Sequence, residues 1–112
     1  MVEGAAAVNE RDFLQQVKDL ARLCGWRVYH TLDSRGSDPG FPDLVLVRRT
    51  KLVFAELKTD SGKPTAPQSA WLADLGRARG VDVHLWRPSD WPQIEAMLAS
   101  RAAVGDRGPT FR

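Results

Sequence analysis

Cysteine is almost absent. Cys24 stands alone among 112 residues, so no disulfide can form within the chain, and a reducing compartment is expected. Its place late in an amphipathic stretch reads as that of a small buried hydrophobe. Long apolar runs are also missing, and none approaches the length needed to span a bilayer. The opening Met1-Val2-Glu3-Gly4-Ala5 has an early acid and no basic segment ahead of an apolar core, so it does not read as a secretory signal. A cytoplasmic protein with no membrane partner is the expectation. Neither sign of charge dominates: 16 basic residues against 14 acidic ones leave a net charge of +2. That balance alone does not announce a polyanionic partner. Internal repeats and low-complexity tracts are lacking as well.

What is present suffices for one domain. The hydrophobic share of 43% can build a core without disulfide or metal staples. Residues 1–8 are small and weakly patterned, and a flexible N-terminus is expected there. Phe13, Leu14, Val17, Leu20, Ala21 and Cys24 recur at intervals of three and four, predicting a helix from Glu10 to Cys24. Asn9 suits its N-cap and Gly25 its C-terminal stop. Residues 26–32, rich in aromatic and β-branched side chains, read as a strand, and residues 33–40 as a loop. Residues 43–57 form the centre of the pattern: an apolar run 44–47, a polar turn 48–51 and a second apolar run 52–55 predict a β-hairpin. Apolar side chains on both faces of that hairpin argue for a sheet covered by helices on each side.

A second helix is expected from about Ala66 to Arg79, with Trp71, Leu72, Leu75 and Ala78 on its apolar side. Residues 81–86 alternate as a further strand, with His84 turned outward, and Pro88 closes it. A last helix opens at Asp90 or Trp91. The tail 103–112 reads as flexible, leaving 9–102 as the domain. The order α-β-β-β-α-β-α is that of an α/β fold with a central sheet flanked by helices.

The hairpin carries the chemistry. If its loop is centred on Arg49-Thr50, residues whose numbers sum to 99 face each other, which sets Asp43 opposite Glu56. Directly opposed residues share a face with Cβ atoms about 4.5–5.5 Å apart. Lys58, two residues beyond Glu56, points the same way. Two carboxylates this close repel unless one is protonated or a cation lies between them. An all-oxygen site favours Mg²⁺ or Mn²⁺, which acidifies water and neutralises charge on a phosphoryl oxygen. Lys58 would orient or deprotonate the water, or stabilise the transition state. With acids gathered there, the remaining surface is more basic than the total implies. Ionisable groups inside an apolar hairpin need a reason of this kind. Thr65-Ala66-Pro67-Gln68 also fits a capping box, with Gln68 reaching back to the Thr65 N–H.

Gly40-Phe41-Pro42-Asp43, Glu56-Leu57-Lys58, Gly62 and Gln68 together resemble the VRR-NUC branch of the PD-(D/E)XK nucleases. Gly25-Trp26, His30, Ser34-Arg35 and the run from Trp86 to Trp91 extend the resemblance from about Glu10 to Leu98. It implies a restriction-endonuclease-like core with a mixed sheet. It also implies a metal-dependent DNA endonuclease leaving 5′-phosphate ends, like small bacterial or phage enzymes that resemble dimeric Holliday-junction resolvases. Asp43, Glu56 and the Leu57 backbone carbonyl would then ligate Mg²⁺ or Mn²⁺, Lys58 would be the catalytic lysine, and Glu10 would complete the site from the first helix. Gln68 would help place water or phosphate. Arg35, Ser34, His30 and Lys63 are candidate DNA contacts, Arg35 as a phosphate clamp. A homodimer would supply the paired cuts that a junction requires. The rival readings are a non-catalytic module that binds structured DNA and an interaction subunit whose acids are a solvated pair.

Overall fold

The computed structural model describes residues 8–32 and 36–100. The expectations for residues 1–7 and 103–112, and those for Ser34 and Arg35, fall outside the described residues. The elements are α1 (Glu10–Leu23), β1 (Arg27–His30), β2 (Leu44–Arg48), β3 (Lys51–Leu57), α2 (Ala66–Gly76), β4 (Asp82–Trp86), a 3₁₀ turn (Pro88–Asp90) and α3 (Trp91–Leu98). The four strands form one sheet in chain order. β1–β2 and β2–β3 pair antiparallel, while β3–β4 is parallel. The parallel pair requires a crossover, and α2 supplies it.

Local signals account for α1. The Asn9 side chain accepts the Asp12 N–H at 2.8 Å, and Gly25 ends the helix at φ 92°. A positive φ there costs glycine nothing. Phe13, Val17 and Ala21 recur at a four-residue spacing and are fully buried. They meet Leu44, Leu46, Val53, Ala55 and Leu57 from the sheet and Ile94 and Leu98 from α3 in one core. Arg48 closes this layer from below. Its Nη1 donates to the Cys24 and Leu98 carbonyls at 3.1 and 2.9 Å, its Nη2 donates to the Ser100 carbonyl, and its guanidinium lies 4.6 Å from the Trp26 ring centre. Carbonyls left over at two helix C-termini thus share one cation.

The opposite face of the sheet is covered less completely. Phe54 points there and meets Phe41 edge-on at 5.8 Å, and Phe41 meets Trp71 of α2 at 5.0 Å. No residue of α2 is buried. Helices therefore lie on both faces, but the expected apolar side of α2 is only half-covered. The helix also stops at Gly76 rather than Arg79, glycine being a poor residue to continue on. His84 is a second correction. Its partner in the ladder is the buried Ala55, so it points to the α1/α3 side, half-buried and stacked on Trp86 at 5.2 Å. Among the described residues no helix is long and apolar enough to cross a membrane.

Candidate active site

The hairpin register sums to 99 at every pair from Leu44↔Ala55 to Arg48↔Lys51. The turn is the two-residue Arg49-Thr50, with Arg49 at φ 55°, a backbone that tight hairpin turns require. One step past Leu44↔Ala55 brings Asp43 opposite Glu56, as the spacing implies. Asp43 Oδ2 accepts the Leu57 N–H at 2.9 Å. The N–H and C=O of one strand residue point to the same edge, so the Leu57 carbonyl also lies on the Asp43 side.

Among the described residues, Glu56 is the one charged residue in the buried set, with 1% of its surface exposed. Its ladder partner on the other side is Leu85, which contributes no polar group. Lys58 Nζ lies 3.7 Å from Glu56 Oε2 and is itself 14% exposed. Among the described residues, neither carboxylate oxygen of Glu56 has a hydrogen-bond partner within ordinary bonding distance. Burial, reinforced by the Asp43 charge and opposed by Lys58, raises its pKa from the ordinary 4.5 to about 7. The two carboxylates offer hard oxygen donors, the ligand type that Mg²⁺ or Mn²⁺ takes.

Beside Asp43 lies a cleft of about 920 Å³ whose walls include Glu10, Tyr29, Thr31, Asp43, Gln68 and Trp71. Gly40 lets its floor form. At φ 92°, a Cβ there would fall 2.5 Å from the Pro67 carbonyl carbon, so only glycine lets the Phe41-Pro42-Asp43 segment abut the α2 N-terminus. The capping box is present: the Thr65 N–H donates to Gln68 Oε1 at 2.8 Å, and the Gln68 N–H to Thr65 Oγ1 at 3.2 Å. With the side-chain oxygen of Gln68 engaged in the cap, its amide NH₂ is the end that can donate into the cleft.

The sequence-predicted residues do not all converge. Glu10 lines the cleft with Asp43, yet among the described residues no three His, Cys, Asp or Glu side chains are gathered closely enough to hold an ion. His30 pairs with the buried Leu44 and points to the α1/α3 side, away from Asp43. Lys63 is exposed in the loop after Lys58.

Two residues at the site went unread in the sequence. Arg87 Nη1 donates to the Thr59 and Gly62 carbonyls, 2.6 Å each, and the Ser89 N–H donates to Asp60 Oδ1 at 3.0 Å. These bonds fasten the loop that follows Lys58, whose own N–H donates to the Trp86 carbonyl at 3.0 Å. An arginine just after a strand and a glycine loop just after Lys58 were visible, but their pairing depended on the parallel β3–β4 register. The other residue is Thr31, whose N–H donates to the Asp43 carbonyl at 2.8 Å and extends the β1–β2 ladder by one bond. Thr31, Asp43 and Glu56 thus form a row across three strands on one face.

No family model and no curated protein matches the chain by sequence. A solved structure described as a "VRR_NUC domain protein" is similar to it, with a TM-score of 0.62 and 17% identity, over 83% of this chain and 92% of that one. The chain has the α/β fold of that VRR_NUC domain protein, a mixed four-stranded sheet flanked by helices.

Proposed function

We propose that this chain is a Mg²⁺- or Mn²⁺-dependent DNA endonuclease that hydrolyses phosphodiester bonds in branched or structured DNA. The carrying observation is Glu56: buried, without a hydrogen-bond partner at either oxygen among the described residues, opposite Asp43 and beside Lys58. Burial of that charge is costly in a protein that makes no use of it. The likeness in fold to a VRR_NUC domain protein supports the same reading.

Asp43, Glu56 and the Leu57 carbonyl would hold the cation, with Glu10 reaching in from α1. A divalent ion bound there supplies Lewis acidity toward a phosphoryl oxygen and lowers the pKa of water. The protein's own part is positional. Leu57 N–H fixes the Asp43 carboxylate, the Arg87-fastened loop fixes the Lys58 backbone, and the Thr65 cap fixes the Gln68 amide. Lys58 would orient an attacking water or offset charge building on the phosphorus centre. In-line attack leaves a 5′-phosphate and a 3′-hydroxyl. Resolution of a four-way junction takes two symmetric cuts, and a twofold homodimer in the cytoplasm would make them.

The test is incubation of the protein with labelled junction, flap and linear DNAs in Mg²⁺, Mn²⁺ or EDTA. Metal-dependent cleavage with preference for a branched substrate is expected. Binding to junctions with no cleavage in either metal would instead identify a non-catalytic DNA-binding module.

A further inference from the structure

Among the described residues, the buried side-chain polar atoms that lack a hydrogen-bond partner are three: Thr31 Oγ1, Glu56 Oε1 and Glu56 Oε2. They belong to one transverse row. Thr31 faces Asp43 through the bond from its N–H to the Asp43 carbonyl, and Asp43 faces Glu56 through the hairpin register. Residues opposed in this way share a face, about 4.5–5.5 Å apart at Cβ. Asp43 is therefore flanked by an orphaned hydroxyl on one side and an orphaned carboxylate on the other. Thr31 and Asp43 also share the wall of the cleft.

A buried hydroxyl without a partner is destabilising, and such groups are rare in native folds. Two acceptor-only oxygens and one donor hydroxyl, arranged around a carboxylate, make a complementary set for a small oxygen-bearing guest. We propose that Thr31 is a positioning residue of the site: its hydroxyl donates a hydrogen bond to a water or phosphoryl oxygen lodged beside Asp43 and Glu56. This rests on the nuclease reading of the Asp43–Glu56 pair and adds to it a group from β1. The neighbouring His30, which the sequence suggested, cannot serve, because strand alternation turns it to the other face. Thr31 takes its place.

The experiment compares the wild type with Thr31→Val, which keeps the shape and removes the hydroxyl, and Thr31→Ser, which keeps the hydroxyl. Thermal denaturation in EDTA is the first readout. Thr31→Val is expected to match or exceed the wild-type midpoint, since no hydrogen bond among the described residues is lost. A clear drop would show that the hydroxyl has a partner in the protein and would overturn the inference. Calorimetric titration with Mn²⁺ and no DNA tests the water source, and DNA binding and cleavage test the phosphoryl source. In at least one of them Thr31→Val should lose about 10- to 100-fold, the usual effect of removing an outer hydrogen-bond partner. The cleavage loss should fall on kcat with KM little changed, and Thr31→Ser should stay near wild type. Wild-type Mn²⁺ affinity and turnover in Thr31→Val, or equal losses in Thr31→Ser, would overturn the proposal. Asp43→Asn separates the two levels. If it abolishes Mn²⁺ binding and cleavage while Thr31→Val leaves both intact, only the role of Thr31 fails. If the wild type itself neither binds Mn²⁺ nor cleaves, both readings fail together.

Discussion

The two faces of the sheet come from the same four strands and do opposite jobs. On the α1/α3 side, Leu44, Leu46, Val53 and Ala55 are fully buried against Phe13, Val17, Ile94 and Leu98, and the chief polar group, Arg48, donates to three carbonyls. On the α2 side the same strands present Asp43, Glu56 and Lys58, and among the described residues the buried oxygens of Glu56 lack a hydrogen bond, with Lys58 3.7 Å from one of them. One face is a packed apolar core. The other withholds satisfaction at one point and leaves a cleft beside it. Strand alternation lets a chain this short separate stability from chemistry, one residue apart.

Substitutions on either side should break that comparison in different ways. The largest expected effect is on the sealed face, where Phe13→Ala should lower unfolding free energy by about 3–5 kcal/mol in urea titration. Activity per folded molecule should be unchanged. On the open face, Asp43→Asn and Lys58→Ala should each reduce cleavage by about 10²–10³-fold or more, with thermal midpoint and junction binding largely kept. Asparagine retains an oxygen for the Leu57 N–H, so the fold has no reason to suffer. Full activity in either variant would remove the distinction between the faces.

A smaller effect concerns pH. The folded-state pKa of Glu56, about 7, lies above its ordinary value of 4.5. The folded protein therefore holds a proton that the unfolded chain has released between those two values. Stability from this source is present at low pH and is lost as pH rises through 7, by roughly 3 kcal/mol in full. His84 acts in the other direction, because burial, partly offset by Asp82, lowers its pKa and disfavours the charged form below neutrality. In EDTA, the thermal midpoint of Glu56→Gln relative to wild type should rise between pH 5 and pH 8, with His84 common to both. An unchanged difference would mean that Glu56 is not held as a strained acid. The smallest effect is at the α2 cap: Thr65→Ala should cost about 1 kcal/mol. Gln68→Glu preserves the cap and should keep the midpoint while losing cleavage; if cleavage survives, Gln68 is only a cap.

These contrasts also explain what was legible in the residues. The hairpin register followed from a two-residue turn between apolar runs, because so short a loop leaves the strands little freedom to slip. The α1 boundaries and the Thr65–Gln68 box were written in local capping chemistry. Pairings made across longer distances were not. The connection from β1 to β2 spans residues 31–43, too long to fix a register by counting, so the residues alone do not tell that Thr31 rather than His30 shares a face with Asp43. The same holds for His84, whose orientation depends on a parallel partner reached only through α2. The partial cover of the α2 face was equally invisible, since Trp71, Leu72 and Leu75 have the spacing of a buried stripe without the burial.

On the proposed reading, the open face holds a divalent cation between Asp43 and Glu56. Calorimetric titration of the metal-free protein with Mn²⁺ at pH 8 tests it most directly. A saturable site in the wild type, lost in both Asp43→Asn and Glu56→Gln, is the predicted result. No Mn²⁺ binding to the wild type, or binding that both variants retain, would contradict it.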